Sequence, residues 1–463
     1  MDMQARQHRA TGVGHRRGAL VAVLLGFFVV MLDTTIVNVA LADMGAELSA
    51  PLASLQWVVD AYTLVFAALL LTAGAACDRL GARRVYVTGL VIFGVLSAVC
   101  ALAPTDGVLI AARTIQGIGA AAIVPGSLAL LSGMYDDGDA RARAIGLWGG
   151  AGGTAAAIGP VLGGLLVSWI GWRAVFWVNL PVIALTCWLA LRSPAVPSTR
   201  HGRGLDLLGQ VLSVVGLAAI TYGLIAAGQK HWSGVPLASV ICGVLVLVGF
   251  VIAEHHASEP MVPVALFGDA RFSAAALVGL ALNISFFGQL FVLSLYFQQH
   301  LGYPAWLAGL ALAPQACSAV IASPLGGRST AALGAFPSML IGLLVGAFGF
   351  GSLVAVTDHT PYPLVAVLTF TGGFGMAFAM PAATSAAVAA APASFTGLAG
   401  GVINAARQTG SVIGVAVLGA MIATDSFLDG FHAAVATASA VFVVASGIVA
   451  GVLVAARRSS ATS

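Results

Sequence analysis

The most restrictive feature of this sequence is a succession of long apolar runs, separated by short segments that hold charges, prolines or glycines. A helix that crosses the hydrocarbon core of a bilayer needs roughly 20 mostly apolar residues. Of the 463 residues, 59% are hydrophobic and only 8% are charged, whereas about a quarter of a soluble domain is charged. Because a soluble chain of this length could not cover its surface with so few charges, we infer that lipid surrounds most of it.

The runs predict helices and not the strands of a membrane barrel. They are continuous and rich in Ala, Leu, Val and Gly, without the alternation of polar and apolar residues that marks a barrel strand. In lipid, helices satisfy their backbone polar groups within the segment. The predicted fold class is therefore an all-α polytopic membrane protein. Its fourteen predicted spans cover residues 18–41, 56–76, 85–104, 108–134, 144–167, 174–191, 205–227, 235–254, 272–297, 304–325, 336–355, 363–391, 398–423 and 433–456.

The positions of the basic residues predict the orientation of the chain. With a cytoplasmic N-terminus, 16 basic residues fall in cytoplasmic segments, and only Arg173 and Lys230 fall outside. Cytoplasmic loops of membrane proteins carry such an excess of Arg and Lys. Lys230 is the single lysine beside 19 arginines, and Ala and Gly are heavily used, which favours a bacterial source. We therefore expect a multi-pass protein of the bacterial plasma (inner) membrane with both termini in the cytoplasm.

Two polar stretches, Arg192–Gly204 and Glu254–Phe272, divide the predicted spans into six, two and six. No soluble domain of useful size and no P-loop pattern is present, which excludes a built-in ATPase. The cysteines and histidines show no metal-ligand spacing, so we expect no metal and no cofactor. The predicted division is a cytoplasmic tail (1–17), a six-helix bundle (18–192), a linker with two extra helices and a following loop (193–271), a second six-helix bundle (272–456) and a cytoplasmic tail (457–463).

The loop after the second span has the pattern G-x-x-x-D-R-x-G-x-R-R. Such a tight connection between two helices needs glycine at the turn, and its charges suit a cytoplasmic latch between bundles that move. The alternative is a basic loop that only sets topology. The residues of the pattern are Gly74, Asp78, Arg79, Gly81, Arg83 and Arg84.

Three further runs narrow the interpretation: LDTTIVNVAL at 32–41, RTIQGIGAA at 113–121 and GPVLGG at 159–164. With the loop pattern, they resemble the fourteen-helix drug:proton antiporter family of the major facilitator superfamily. The resemblance covers nearly the whole chain. It implies a two-bundle fold, alternating access, export of drugs or antibiotics, and a proton gradient as the driving force.

The run at 159–164 also has a physical meaning of its own, and the resemblance implies that it marks antiporters. Gly159, Gly163 and Gly164 expose backbone, so neighbouring helices can approach closely. Pro160 removes a backbone donor and bends the helix. A bent, closely packed seam suits two bundles that rock against each other.

Four charges lie within predicted spans: Asp33, Asp60, Arg113 and Arg407. Each costs at least about 2.5–3.5 kcal/mol at the bilayer centre, so each should face the protein interior and have a partner. Asp33 lies roughly 22 Å above the cytoplasmic end of the first span. Arg113 lies roughly 8 Å below the outer end of the fourth span, in a core about 30 Å thick. The two depths agree.

We therefore predict one polar cluster of Asp33, Asp60 and Arg113, with Asp33 as the proton carrier. Burial disfavours the charged form of a carboxylate and a nearby arginine favours it, so a change of conformation can change protonation. The alternatives are a static ion pair between Asp33 and Arg113 and, for Asp60, simple exposure at the outer surface. Since the last six spans contain no acid, Arg407 must pair with amides, carbonyls, an acid across the cavity or the substrate.

The substrate cavity should lie near the midplane, between the bundles. Aromatic and amide side chains at positions that can face the interior suit a neutral or amphipathic drug. The candidates are Asn38, Trp57, Tyr62, Gln116, Trp148, Asn283, Phe287, Gln289, Tyr296, Gln315, Asn404, Arg407 and Gln408.

The leading functional hypothesis is proton-coupled export of drugs or antibiotics. The first alternative is a dedicated exporter of one endogenous metabolite, such as a self-made antibiotic. A membrane-embedded enzyme or a non-transporting sensor are alternatives of other classes; no nucleophile–base pair or cluster of ligands supports an enzyme. The expected partners are the small-molecule substrate, protons and membrane lipid, with no nucleic acid, and the expected functional unit is a monomer.

Overall fold

The computed structural model describes residues 2–135, 137–192, 206–230, 232, 234–257, 260–392 and 395–461. Within these ranges the chain is helical and contains no β-strand. Side chains of residues 2–17, 138, 139, 142, 229, 230, 396, 397 and 457–461 are outside the description.

The first part of the chain contains six long helices, the last of which is interrupted at Val178. Short polar caps and glycines separate them: the Thr105 hydroxyl accepts a hydrogen bond from Val108 N, and Gly81 and Gly171 end their helices with positive φ. The elements are α1 (Asp2–Leu48), α2 (Leu52–Leu80), α3 (Ala82–Ala101), α4 (Asp106–Met134), α5 (Gly138–Ile170), α6 (Ala174–Trp177) and α7 (Asn179–Arg192).

The remaining elements are eight helices, one of them extended by a π-helical turn at Tyr296–His300. They are α8 (Leu207–Lys230), α9 (Val235–His256), α10 (Ala270–Leu295), α11 (Ala305–Leu333), α12 (Ala335–Ser352), α13 (Tyr362–Ala390), α14 (Thr396–Met421) and α15 (Phe427–Ala461). Short 3-10 turns occupy Val264–Gly268 and Leu353–Ala355.

The predicted helical membrane fold is confirmed. Counting α6 and α7 as one broken span, the described residues contain fourteen long helices, and thirteen of them are long and apolar enough to cross a membrane. The remaining one is α14, which carries Asn404, Arg407 and Gln408 along its length. The helix of the first span begins at Asp2 and not at residue 18, because the basic segment continues it.

Close helix contacts rest on glycines, as expected where no hydrophobic effect drives helices together. A Cβ atom at Gly89 of α3 would lie 2.9 Å from the Gly119 carbonyl oxygen of α4, and one at Gly119 would lie 2.8 Å from the Gly89 oxygen. A Cβ atom at Gly342 of α12 would lie 2.7 Å from the Gly375 oxygen of α13. Backbone therefore touches backbone in both helix pairs.

The two predicted extra helices correspond to α8 and α9. Helix α8 contacts α9, α2 and α14, and the Gln210 amide donates to the Ala68 carbonyl of α2 over 3.1 Å. Helix α9 buries few side chains, among them Glu254. The segment at 193–205, where the boundary after the sixth span was predicted, lies outside the described residues. The division into six, two and six helices stays a prediction.

Candidate functional site

A buried ion pair joins α1 to α4. The Arg113 guanidinium donates to the Asp33 carboxylate, and these side chains are 1% and 0% exposed. Arg113 also donates through Nε to the Val58 carbonyl of α2 over 3.1 Å. Its guanidinium carbon lies 4.1 Å from the centre of the Tyr62 ring, which adds a cation–π contact on α2. One arginine thus holds three helices together.

Amide and hydroxyl groups extend this pair to two more helices, α3 and α7. Gln116, one turn along α4, accepts from Arg113 over 2.9 Å and donates to the Ser97 hydroxyl of α3 over 2.8 Å. Asn179 at the start of α7 donates to the second oxygen of Asp33 over 2.9 Å. Both carboxylate oxygens therefore accept hydrogen bonds in an interior that is shielded from water. We call Asp33, Arg113, Gln116, Ser97 and Asn179 the polar cluster.

Asp60 does not join the polar cluster. Its side chain is fully buried on α2, and neither carboxylate oxygen has a hydrogen-bond partner among the described residues. One turn earlier on α2, the Gln56 amide donates to the carbonyls of Val415 and Ala416 on α14, over 3.2 Å each. The structure therefore brings Asp33 and Arg113 together and leaves Asp60 apart from them.

The GPVLGG run packs α5 against two helices at once. A Cβ atom at Gly163 would lie 2.8 Å from the Ile36 carbonyl oxygen of α1, and one at Gly164 would lie 3.0 Å from the Trp306 Cα atom of α11. A Cβ atom at Gly159 would also clash with the Thr35 side chain of α1, and Pro160 lies against Gly309 of α11. The run therefore forms a seam, which we call the α5–α11 seam.

The molecule is closed at the end that holds this seam. Besides the Gln56 bonds to α14, the Ser294 hydroxyl of α10 donates to the Asn38 carbonyl of α1 over 2.7 Å. The Trp306 backbone N–H donates to the Ser168 hydroxyl of α5 over 3.0 Å. Helices from the first and last parts of the chain therefore meet directly at this end.

At the opposite end lies a cavity of about 650 Å³. Its wall is mostly apolar and comes from α1, α2, α4, α5, α13 and α14, together with residues that flank α8 and α9. The lining residues are Phe27, Met31, Leu70, Leu71, Thr72, Gly74, Ala75, Cys77, Asp78, Val124, Pro125, Leu128, Ala129, Ser132, Trp148, Asp206, Pro260, Met261, Thr384, Leu398, Gly400, Gly401, Ile403, Asn404, Arg407 and Gln408.

Aromatic and amide groups mark two parts of the cavity wall. The Trp148 ring stacks on Phe27 with ring centres 3.7 Å apart and an angle of 13°, and its indole N–H donates to the Ser127 hydroxyl over 3.0 Å. On the other side, three of the predicted cavity residues lie on α14: Asn404, Arg407 and Gln408. Such a wall can bind an amphipathic molecule by stacking and by a few directed polar contacts.

The loop pattern after α2 forms a tight turn beside the cavity. Gly81 has φ of 91°, and its N–H donates to the Cys77 carbonyl over 3.0 Å, so a side chain there would be strained. Arg83 donates to the Leu191 carbonyl at the end of α7. Asp78 is exposed and lines the cavity, as does Gly74, while Arg79 and Arg84 are exposed. The latch role stays a prediction.

Nine predicted cavity residues lie elsewhere in this conformation. Tyr62 and Gln116 belong to the surroundings of Arg113, and the Tyr296 ring lies 4.6 Å from Phe431. The others pack within the helix bundle, with Trp57 and Phe287 half-buried and the rest buried: Asn38, Trp57, Asn283, Phe287, Gln289 and Gln315.

Two members of the polar cluster were not predicted as site residues: Ser97 and Asn179. Both are polar residues inside apolar runs, which is the signal that could have identified them. Whether such a residue reaches Asp33 or Gln116 depends on the direction of its side chain around the helix axis. The periodicity of the sequence does not define this direction. No group of three His, Cys, Asp or Glu side chains that could hold a metal ion occurs in the described part of the chain.

The chain matches known proteins over most of its length. The model of the Major Facilitator Superfamily matches residues 23–415 and 275–462. The methylenomycin A resistance protein of Bacillus subtilis is 38% identical over 408 residues, which are 87% of each chain. The multidrug resistance protein Stp of Mycobacterium tuberculosis is 36% identical over 410 residues, 87% of this chain and 75% of that one.

Solved structures agree on the fold. A bacterial homologue of the human lysosomal transporter Spinster, in an inward-facing and unoccupied conformation, has a TM-score of 0.69 at 16% identity. The alignment covers 94% of this chain and 96% of that one.

Proposed function

This chain belongs to the major facilitator superfamily, and on that premise we propose that it exports drugs or antibiotics from the cytoplasm in exchange for protons. The relatives at 36–38% identity are named for resistance to methylenomycin A and to multiple drugs. In a chain built mostly of helices that can cross a membrane, removal of the compound from the cell is the route to resistance that the fold supports. Export across the plasma membrane by alternating access is therefore the activity that we assign to this chain.

The observation that carries the proton-coupling proposal is the polar cluster. Asp33 accepts hydrogen bonds from Arg113 and Asn179 while it is deprotonated. A proton on Asp33 removes its charge and turns one acceptor oxygen into a donor, so the attraction to Arg113 falls. Because Arg113 also holds α2 through the Val58 carbonyl, protonation of Asp33 loosens the contact between α1, α2 and α4.

Asp60 supplies a second proton position in this proposal. Both of its carboxylate oxygens are buried without a hydrogen-bond partner among the described residues, and a proton on one of them removes the cost of an unpaired buried charge. Asp60 lies one turn from Gln56, which binds the backbone of α14. Separation of α2 from α14 would let water reach Asp60, so Asp60 can take up a proton from the outside when the closed end opens and keep it when that end closes again.

The cavity and the α5–α11 seam supply the two states of the cycle. The structure is closed at the seam and has its cavity at the Asp78 end, which we assign to the cytoplasm from the distribution of arginines. A drug enters this cavity from the cytoplasm or the inner leaflet. Rocking of the two helix bundles then parts the seam and releases the drug outside, where protons reach the two acids.

Drug susceptibility of an efflux-deficient bacterial host tests the proposal. Expression of the protein should raise the inhibitory concentration of several structurally unrelated antibiotics. Cells that express the protein should accumulate less drug than cells without the protein, and a proton uncoupler should abolish this difference. Protection against a single compound would instead assign the dedicated exporter.

Asp33→Asn keeps the size of the side chain and removes its charge, so it should abolish protection at normal expression. Asp425→Asn is the matched control. Asp425 is exposed, so this substitution removes the same charge from the surface. Unchanged protection by the Asp33→Asn variant would exclude Asp33 from the mechanism.

A further inference from the structure

The unpaired cation in the cavity wall has a direct consequence for the compounds that can bind there. Arg407 lies about 16 Å along α14 from its first residue, near the middle of the helix. No hydrogen bond or ion pair joins its guanidinium to any other described residue, and its Nε atom is buried without a partner. Arg113, the other intramembrane arginine, forms an ion pair with Asp33 and also donates to Val58 and Gln116.

An arginine in this position cannot remove its own charge. Asp60 becomes neutral when it takes up a proton, but the guanidinium stays protonated at any physiological pH. Its charge must therefore be balanced by water in the cavity or by an anion. An unpaired charge at this depth is costly, and intramembrane charges mark substrate pathways.

Arg407 lines the cavity, and its stem packs against a neighbouring helix. Its aliphatic stem packs against Gly279 of α10, where an added Cβ atom would lie 3.2 Å from the Arg407 Cγ atom. Asn404 and Gln408, its neighbours on α14, line the same cavity. The Asn283 amide donates to the Ser411 hydroxyl over 3.0 Å and not to Arg407. The guanidinium is thus positioned and left without a protein acceptor.

The charges of the cavity are separated by depth. Among the described lining residues, the acids are Asp78, near the end of α2, and Asp206, just before α8, and both lie at the mouth. Neither forms an ion pair with Arg407. Apolar side chains and the stacked Phe27 and Trp148 rings occupy the wall between mouth and depth.

We infer that Arg407 binds the anionic group of the exported compounds, so that the cavity prefers amphipathic organic anions with an apolar ring system. The anion pairs with the guanidinium, and the ring system lies against the aromatic and aliphatic wall. A planar guanidinium suits a carboxylate, which it can bind through two parallel hydrogen bonds. This inference rests on the proposed function, since it defines the substrate class of the same cavity.

The test is equilibrium binding to the purified full-length protein in lipid nanodiscs. The probes are naphthaleneacetate and naphthaleneacetamide, which share the ring system and differ in charge at neutral pH. The acid should bind roughly tenfold or more tightly than the amide, because hydrogen bonds to charged groups are stronger than neutral ones. Arg407→Gln should weaken binding of the acid by a similar factor and change binding of the amide by less than about twofold.

Two further variants separate recognition from folding. Arg407→Lys keeps the charge and should retain a preference for the acid. Gly279→Ala pushes on the stem of Arg407 and should reduce the preference without removing the charge. Arg328→Gln is the matched control, because Arg328 is exposed on α11 and does not line the cavity.

Equal binding of acid and amide to the unchanged protein would overturn the inference, as would an Arg407→Gln variant that keeps the preference. Absence of measurable binding of the acid would overturn it as well. None of these outcomes affects the proposed function, which is tested separately by drug protection in the efflux-deficient host and by its dependence on the proton gradient.

Discussion

The substitution Gly164→Ala adds one methyl group to the α5–α11 seam. The new Cβ atom would lie 3.0 Å from the Trp306 Cα atom and 3.1 Å from the Ala305 carbonyl carbon, and closer still to the Ala305 oxygen. Even weak carbon–oxygen contacts span about 3.3–3.6 Å. Since the opposing atoms are backbone, no side-chain rotation relieves the clash, and α5 and α11 must move apart.

The size of the effect follows from the cost of overpacking, which is about 1–3 kcal/mol for an extra methyl or methylene group in a packed interior. This cost applies only to the state in which the two helices touch. A conformational equilibrium therefore shifts roughly 5–150-fold toward the state in which the seam is parted. We expect the variant to fold, to favour the seam-open state and to lose most of its export.

Electron–electron double resonance between two spin labels measures the separation of α5 and α11 at the seam directly. The labels are attached to cysteines that replace Trp169 and Trp306, both exposed near the seam, in a protein without its five native cysteines. The distance distribution of the Gly164→Ala variant should move to longer values than that of the parent. Drug protection in the efflux-deficient host should fall in parallel.

Gly153→Ala is the matched control, because Gly153 lies on the same helix and an added Cβ atom there meets nothing within 4 Å. It should leave distances and export unchanged. The reasoning is refuted if Gly164→Ala has the distance distribution and the export of the parent protein.

Other predictions follow from the same contacts. Gly309→Ala places its Cβ atom 3.1 Å from the Pro160 carbonyl carbon, so it should part the seam as well, and an unchanged spin-label distance would contradict this. Asn179→Ala removes one donor to Asp33 and should weaken the ion pair by about 1–3 kcal/mol; export should fall but not vanish, and full activity would show that the donor is dispensable. Gly119→Ala puts a Cβ atom 2.8 Å from the Phe93 backbone nitrogen, so the melting temperature in detergent should fall, and an equal melting temperature would disprove this packing account.

The helices could be predicted because their length and apolar composition depend on local sequence alone. The contact between Asp33 and Arg113 was also predictable, because residue counts along two antiparallel spans place both charges at one depth. The isolation of Asp60 was not predictable in this way. Its depth is similar, but its direction around the α2 axis sends it away from Arg113, and this direction depends on packing.

The residues that line the cavity were harder to predict than the ion pair. Four of the candidate residues, Trp148, Asn404, Arg407 and Gln408, line this cavity, while Gln289 and Gln315 are buried without partners among the described residues. Polar residues on bundle-forming helices can face a cavity, a neighbouring helix or a seam that opens in another state. The sequence identifies the polar residue. Which of these environments it occupies depends on the tertiary packing and on the conformational state of the protein.

Proton-coupled export itself is tested most directly in proteoliposomes that have an acidic lumen and contain a pH-sensitive dye. With an antibiotic against which the protein protects the efflux-deficient host as the external probe, we predict that the gradient drives drug into the lumen and that added drug accelerates proton loss. Asp33→Asn should abolish both fluxes, and Asp425→Asn should leave both intact. Drug accumulation that is equal with and without the gradient, or proton flux at the parental rate in Asp33→Asn, would contradict it.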